Sequence, residues 1–144
     1  MENTNQLFHF LYKKTRAMTK VLNEHLQQFG LYSSQWSILY CIKNNGPMTQ
    51  SEIWRYLVVE APTVTRTLAK LEESGWIKRT QGSDKRERLV SLTEKAIEQL
   101  PLVEKEVKRF EQTMTQHLTK EELTIFYSFL NKLGPITTEK EESI

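Results

Sequence analysis

The chain has 144 residues, of which 38% are apolar and 26% charged, and a formal net charge of +2. These values fit one modest, well-charged domain and exclude recognition of nucleic acid by bulk charge alone, so a nucleic-acid surface would need local clusters of cations. The single cysteine, Cys41, excludes an internal disulfide, and no apolar run reaches the ~18 residues of a membrane span, so we expect a cytoplasmic protein.

The first predicted element is a long amphipathic helix over 6–29. Apolar residues recur there at helical spacing, and Gly30 can end the helix. A second helix begins with Ser33 or Ser34 as its cap and runs to about Asn44, before Gly46 and Pro47.

A capping box follows at Thr49-Gln-Ser-Glu52, where the threonine hydroxyl and the glutamate carboxylate can each bond the other residue's amide. It predicts a short helix over about 50–57.

A further helix is predicted to begin at Ala61-Pro62 and to end at Gly75. Val64, Leu68 and Leu71 mark one buried face. The opposite face carries small polar and cationic residues near the N-terminal end, namely Thr63, Thr65, Arg66 and Lys70. In a helix-turn-helix, that end of the second helix enters the major groove of DNA, where such side chains contact bases and phosphates.

A basic hairpin comes next. Residues 76–80 and 88–92 predict two strands, and 81–84 has turn chemistry. The hairpin carries the cations Lys78, Arg79, Lys85, Arg86 and Arg88. Placed directly after a recognition helix, such a hairpin is suited to reach phosphates or the minor groove. The alternative is a solvated edge hairpin that uses its charges against aggregation.

Three segments together resemble the multiple-antibiotic-resistance regulator (MarR) family. They are Pro62-Thr-Val-Thr-Arg66, Leu71-Glu-x-x-Gly75-Trp-Ile, and Asp84-x-Arg86-x-x-x-Val90-x-Leu92-Thr93. The chain departs from the family at Ala96, where many members have glycine. The resemblance implies that Arg86 enters the minor groove and that Asp84 holds the wing turn. Lys85 and Arg88 then lie by the DNA backbone. The resemblance also implies that Met48 adds a short strand to the wing sheet.

Two long helices are predicted after the hairpin. Thr93 caps the first, whose apolar residues follow a heptad-like spacing typical of packing along another helix, and Pro101 lies inside it. The stripe comprises Ala96, Leu100, Val103, Val107, Phe110 and Met114. Thr119-x-x-Glu122 caps the last helix, which ends at Gly134-Pro135.

The expected fold is therefore mainly α with a small β wing: a single winged helix-turn-helix domain over 1–144. We expect the DNA-reading region at 33–92, and helical dimerisation regions at 6–29 and 93–134. A monomer of this length has little core to cover both terminal stripes, so a symmetric homodimer is expected to bury them. Such a dimer would read a pseudo-palindrome with half-sites about 10 bp apart.

The expected function is sequence-specific binding of double-stranded DNA to regulate transcription, most often by repression in the resembled family. Members of that family also bind aromatic or phenolic anions between the winged helix-turn-helix and the dimer helices. Four residues are candidates to line such a crevice here, namely Arg16, His25, Trp36 and Tyr40. The alternative is that Trp36 and Tyr40 belong to the core.

Other chemistry has less support in the sequence. The three histidines are scattered, and no Cys-x-x-Cys, phosphate-binding glycine loop or nucleophile elbow occurs, so we expect no enzyme, metal or cofactor. Two alternatives to the DNA-binding regulator stay open. One is a sensor of oxidants through Cys41, and the other is a winged protein-interaction module that does not bind DNA.

Overall fold

The structure is a computed structural model, and it describes residues 3–84 and 87–135. The elements in chain order are α1 (Thr4–Leu26), a 3-10 turn (Gln27–Phe29), α2 (Ser33–Asn45), β1 (Met48–Thr49), α3 (Gln50–Leu57), α4 (Ala61–Glu73), β2 (Ile77–Gln81), β3 (Arg88–Leu92), α5 (Glu94–Thr115) and α6 (Lys120–Lys132). The chain is thus mainly helical with a small sheet, as predicted.

The sheet has three antiparallel strands in the order β1-β3-β2. Met48 pairs with Val90 and Thr49 with Leu89, so the short strand before α3 joins the wing as expected. In the hairpin, Ile77 pairs with Leu92 and Gln81 with Arg88. The predicted strand over 76–80 is shifted by one residue, because Trp76 instead bonds the Leu71 carbonyl as the chain leaves α4.

Two helix starts show how local sequence sets the boundaries. The prediction that Ser33 or Ser34 caps α2 is wrong: Tyr32 is the cap, and its amide donates to the Gln35 side chain at 2.9 Å. Ser33 lies inside α2, where its amide donates to Asn23 of α1 at 2.7 Å. Thr93 caps α5 as predicted, since its hydroxyl accepts from the Ala96 amide at 3.1 Å.

The chain has two compact units, the first ending at Phe110 and the second beginning at Glu111. The core of the first unit is built from buried side chains of α1 to α5 and the sheet, including Leu39, Ile53, Leu68 and Val90. In the second unit, α6 has no buried residue, and its Thr119 and Glu122 form the predicted capping box.

The apolar stripe of α5 lies in the core of the first unit. Ala96 and Val103 are fully buried and Leu100 is 2% exposed within a single chain. The interpretation of this stripe as a contact between chains is therefore wrong for these positions. Because the 3.5-residue spacing describes one face of any helix that packs on a neighbour, it does not tell an intrachain partner from a second copy. The helix runs without interruption through Pro101.

Candidate nucleic-acid interface

The helix-turn-helix consists of α3 and α4. The capping box of α3 has formed: the Glu52 amide donates to the Thr49 hydroxyl at 3.2 Å, and the Thr49 amide donates to the Glu52 carboxylate at 3.4 Å. Val58 turns the chain between the helices with a positive φ of 55°. Ile53 is fully buried on the inner side of α3. These contacts fix α3 against the core, so that α4 has a defined support.

The outer face of α4 is the predicted reading surface. Val64, Leu68 and Leu71 are buried, which sets the inner face. The sequence-predicted contact residues fall on the other side, where Thr65, Arg66 and Lys70 are exposed and Thr63 is half-buried. Gly75 ends the segment with a φ of 82°, in the left-handed region that favours glycine. The structure therefore brings these four residues together on one helix.

Side chains from three elements meet beside the first turns of α4. Gln50, the first residue of α3, donates from its amide nitrogen to the Thr65 hydroxyl. Arg79 on β2 donates from Nη1 to the Gln50 amide oxygen at 3.3 Å. The guanidinium Nε of Arg79 also lies 3.4 Å from a carboxylate oxygen of Glu72 on α4. The wing strand is thus joined to the recognition helix at two points.

This network corrects part of the interpretation of the hairpin. Arg79 is one of the cations counted in its basic surface, yet its side chain is only 21% exposed and is paired with Glu72. Sequence reasoning did not single out Gln50 or Glu72. No local signal could have found them, because Gln50 lies 29 residues from Arg79 along the chain.

The wing turn is closed by backbone hydrogen bonds. The Gly82 amide donates to the Glu87 carbonyl, and the Glu87 amide donates to the Asp84 carbonyl, both at 2.9 Å. A Cβ added at Gly82 would lie 3.0 Å from the Glu87 side chain, so a larger residue there would require Glu87 to shift by a few tenths of an ångström. Asp84 is exposed at the turn, as is Arg88 where β3 begins. The predicted contacts Lys85 and Arg86 lie outside the described residues.

An open groove of about 580 Å³ lies between the start of α3 and the wing. Its lining includes Gln50, Ser51, Arg55 and Arg88. Gln50 thus lines the groove together with Arg88 and also donates to Thr65 of the recognition helix. Arg55 lies over the Trp54 ring, 5.1 Å from its centroid. The groove adds Ser51 and Arg55 to the polar groups beside the predicted reading surface.

The four candidate ligand residues fall in the first unit. Trp36 is 9% exposed and its ring centroid lies 5.7 Å from that of Tyr40, which is 48% exposed. His25 places Nδ1 at 2.8 Å from a carboxylate oxygen of Glu106. Arg16 is exposed on α1. Trp36 is thus part of the core whereas Tyr40 is not, and the ligand site stays a prediction.

The hydrogen bond from His25 lowers the pKa of Glu106, and the nearby Arg109 adds to this effect. Each of these partners favours the ionised carboxylate, whereas desolvation opposes it. Glu106 therefore carries its negative charge to lower pH than an ordinary glutamate.

Cys41 is fully buried on α2, and its Sγ lies 3.3 Å from the Met48 sulfur. Reactive cysteines are partly exposed, whereas buried structural cysteines are inert. Within residues 3–84 and 87–135, no group of three or more His, Cys, Asp or Glu residues is placed to hold a metal ion. Nor does that part of the chain contain a helix with the length and apolar character needed to cross a membrane.

Comparison with known proteins agrees with this geometry. A model of the MarR family matches residues 31–87. An uncharacterised HTH-type transcriptional regulator of Bacillus subtilis, YwoH, is 49% identical over 120 residues, which cover 83% of this chain and 88% of that protein.

Two solved structures similar to this chain contain DNA. A cysteine-to-serine mutant of Escherichia coli MarR, complexed with operator DNA, has a TM-score of 0.79 at 28% identity and covers 91% of this chain and 93% of its own. Reduced AbfR of Staphylococcus epidermidis, bound to DNA, has a TM-score of 0.71 at 28% identity and covers 89% and 88%.

Proposed function

This chain belongs to the MarR family of helix-turn-helix transcriptional regulators, and we propose that it binds a specific double-stranded DNA sequence as a homodimer and acts as a repressor. One observation carries the proposal: the exposed Thr, Arg and Lys face of α4 lies beside a groove that also contains Arg88 of the wing. A helix and a hairpin that present cations side by side are suited to adjacent grooves of a duplex.

The recognition helix reads the major groove in this proposal. Arg66 and Lys70 donate to guanine N7 and O6 or to phosphates, because both side chains are exposed donors. Thr63 and Thr65 lie nearer the helix start and contact bases, and Thr63 also contacts the adjacent phosphate. The Arg66 guanidinium lies 3.5 Å from the Thr63 hydroxyl, which supports the assignment of both to one contact surface.

The wing supplies the second set of contacts. Arg86 enters the minor groove, where arginine is favoured in narrow A·T-rich segments, and Lys85 and Arg88 contact the backbone. Asp84 orders the turn, a role supported by its carbonyl, which accepts from the Glu87 amide. The roles of Lys85 and Arg86 rest on the sequence pattern alone.

Uncovered apolar faces support the homodimer. At the start of α1, Leu7, Phe10 and Tyr12 are each about 60% exposed. In the second unit, α6 and its C-cap expose a run of large apolar side chains, namely Ile125, Phe126, Phe129 and Leu130 on the helix and Leu133 at the cap. Contiguous apolar surface of this kind marks an interaction site. A second copy of the chain buries both faces, and the resulting two-fold symmetry presents two recognition helices to a pseudo-palindromic operator.

Release of DNA by a small aromatic or phenolic anion is the further regulatory step that the family resemblance suggests. The Trp36–Tyr40 ring pair supports it, because Tyr40 leaves an aromatic edge exposed beside a buried indole. Arg16 and His25 supply the polar groups of that proposed site.

Salt titration of DNA affinity tests the proposed function against a protein-interaction module. Cationic contacts to phosphates release counterions, so log affinity should fall linearly with log salt concentration, with a slope of about −0.9 for each phosphate contacted. A winged module that binds only a partner protein would show no measurable affinity for a duplex at low salt.

The oxidant sensor is tested separately through Cys41. Peroxide should leave the DNA affinity of the wild type and of Cys41→Ser equally unchanged, because the thiol is fully buried. A loss of affinity in the wild type alone would establish the sensor and replace the proposal of an inert thiol.

A further inference from the structure

We propose that Arg79 and Gln50 are positioning residues that fix what the Thr65 hydroxyl can offer to a base, an inference that rests on the DNA-binding function proposed above. Neither residue is assigned to contact DNA. They act through a chain of hydrogen bonds that runs from the wing strand β2, through the first residue of α3, to the recognition helix α4.

The direction of every hydrogen bond in this chain follows from Arg79. A guanidinium has only donors, so the group that faces it must accept. Nη1 of Arg79 donates to the Gln50 amide oxygen at 3.3 Å. The other end of the same amide, its NH2 group, therefore faces Thr65 and donates to the Thr65 hydroxyl oxygen.

The Thr65 hydroxyl is left without a proton for a base. It accepts from Gln50, and its one proton is donated to the Ala61 carbonyl, one turn earlier in α4, at 3.0 Å. A threonine side chain held in this way presents its methyl group and one oxygen lone pair to its surroundings. It does not present a donor.

A carboxylate on α4 itself keeps Arg79 in place. The Nε of Arg79 lies 3.4 Å from a carboxylate oxygen of Glu72, two helical turns beyond Thr65. Because this carboxylate neutralises the guanidinium and the side chain is mostly buried, Arg79 is better suited to hold Gln50 than to bind a phosphate.

This arrangement has a consequence for sequence preference. Guanine shows two acceptors in the major groove, N7 and O6, so it needs a donor that Thr65 lacks. The adenine and cytosine amino groups can each donate to the lone pair that Thr65 presents, but only an A·T pair adds the thymine methyl group, which can pack against the Thr65 methyl. We therefore expect Thr65 to face an A·T pair and to contact its thymine methyl.

The full-length protein is first used to select duplexes from a randomised library, and the selected duplex is the binding probe. Each thymine of the selected duplex is then replaced, one at a time, by deoxyuracil, which removes only the methyl group. For the wild type, one replacement in each half-site should weaken binding about fourfold, the effect of losing one buried methyl contact. Thr65→Ser should be insensitive to that replacement, whereas Thr65→Val, which keeps a methyl group, should remain sensitive.

Variants of the positioning residues test the chain of hydrogen bonds itself. Arg79→Met removes the donor that orients the Gln50 amide, so the amide can turn and the A·T preference at that pair should fall to about twofold or less. Lys78→Met is the matched control, because it removes the same charge from the neighbouring, exposed position of β2 and should keep the preference. Gln50→Glu keeps a partner for Arg79 but removes the amide donor, and should also relax the preference.

The outcomes separate this inference from the function on which it rests. If the wild type selects no sequence, the proposed DNA-binding function fails and the inference falls with it. If the wild type selects a sequence, but the folded Arg79→Met and Gln50→Glu variants keep its preference and its deoxyuracil sensitivity, only the positioning role is overturned. Should Arg79→Met fail to fold by circular dichroism, Gln50→Glu alone decides.

Discussion

His25 on α1 and Glu106 on α5 are joined by a 2.8 Å contact between Nδ1 and a carboxylate oxygen. The His25 ring also lies against Phe110, with 5.8 Å between the ring centroids. We expect α1 to form part of the dimer contact, and α5 continues directly from the wing. This pair therefore joins the helix expected to contact the partner with the helix that follows the wing, within one protomer.

The first prediction concerns the stability that Glu106 contributes. Its pKa lies below the ordinary value in the folded chain, mainly because of the hydrogen bond from His25. A carboxyl with a depressed folded pKa stabilises the fold above its unfolded pKa and loses that contribution as pH falls through the folded pKa. The wild type should therefore have a larger free energy of unfolding in urea than Glu106→Gln at neutral pH. This difference should narrow as the pH falls below 4.5, the ordinary pKa of a glutamate.

Glu104→Gln is a suitable control for that titration, since Glu104 lies on the same helix and pairs with Lys43 instead. A gap between wild type and Glu106→Gln that stays constant from neutral to acid pH would show that the His25 contact does not favour the ionised carboxylate.

The second prediction follows from the burial of Leu100. Leu100→Ala should lower the free energy of unfolding by about 2–5 kcal/mol, because it opens a cavity in the core of a single chain. Ile97→Ala, three residues earlier on the exposed side of α5, should change it by less than about 0.5 kcal/mol. Equal effects of the two substitutions in urea unfolding would contradict the burial of Leu100 in the core of a single chain.

The third prediction places the contact between protomers on α6. Phe129 is 62% exposed, so Phe129→Glu should leave the protomer folded while introducing a charge that a dry interface excludes. Analytical ultracentrifugation should show a monomer for this variant and a dimer for the wild type. Val58→Glu, at an apolar site in the helix-turn-helix that is 74% exposed, is the control and should remain a dimer.

The fourth prediction tests the wing. Arg86→Ala should weaken binding to the selected duplex by about 1–3 kcal/mol while leaving the dimer intact. Lys105→Ala removes a charge from an exposed position on α5 and should leave the affinity unchanged. Unaltered affinity of Arg86→Ala in a gel-shift titration would remove Arg86 from the binding surface.

Patterns between residues close in the sequence predicted the helix-turn-helix and the wing well. The Thr49–Glu52 box gave the start of α3, and the turn residues at 81–84 followed by an apolar return segment gave β3 at its observed bounds. These signals are local, because a helix cap and a strand each depend on residues within a few positions of one another. The outer face of α4 followed for the same reason, from the spacing of Val64, Leu68 and Leu71.

Contacts between distant segments could not be predicted in this way. The burial of the α5 stripe within one chain and the pairing of Arg79 with Glu72 depend on how elements pack. Composition does not show whether a cation in a hairpin faces solvent or a carboxylate on another element. Arg79 and Arg88 look alike in the sequence, but the structure buries most of the first and exposes the second.

The most direct test is the affinity of the full-length protein for its selected inverted repeat and for the same repeat with five base pairs inserted between the half-sites. Two recognition helices fixed by a two-fold axis read half-sites one helical turn apart, about 10 bp, so an added half turn moves one half-site to the opposite face of the duplex. We predict that the insertion lowers affinity at least about a hundredfold, towards that of random duplex. Equal affinity for both duplexes would contradict a symmetric dimer that reads two grooves at once.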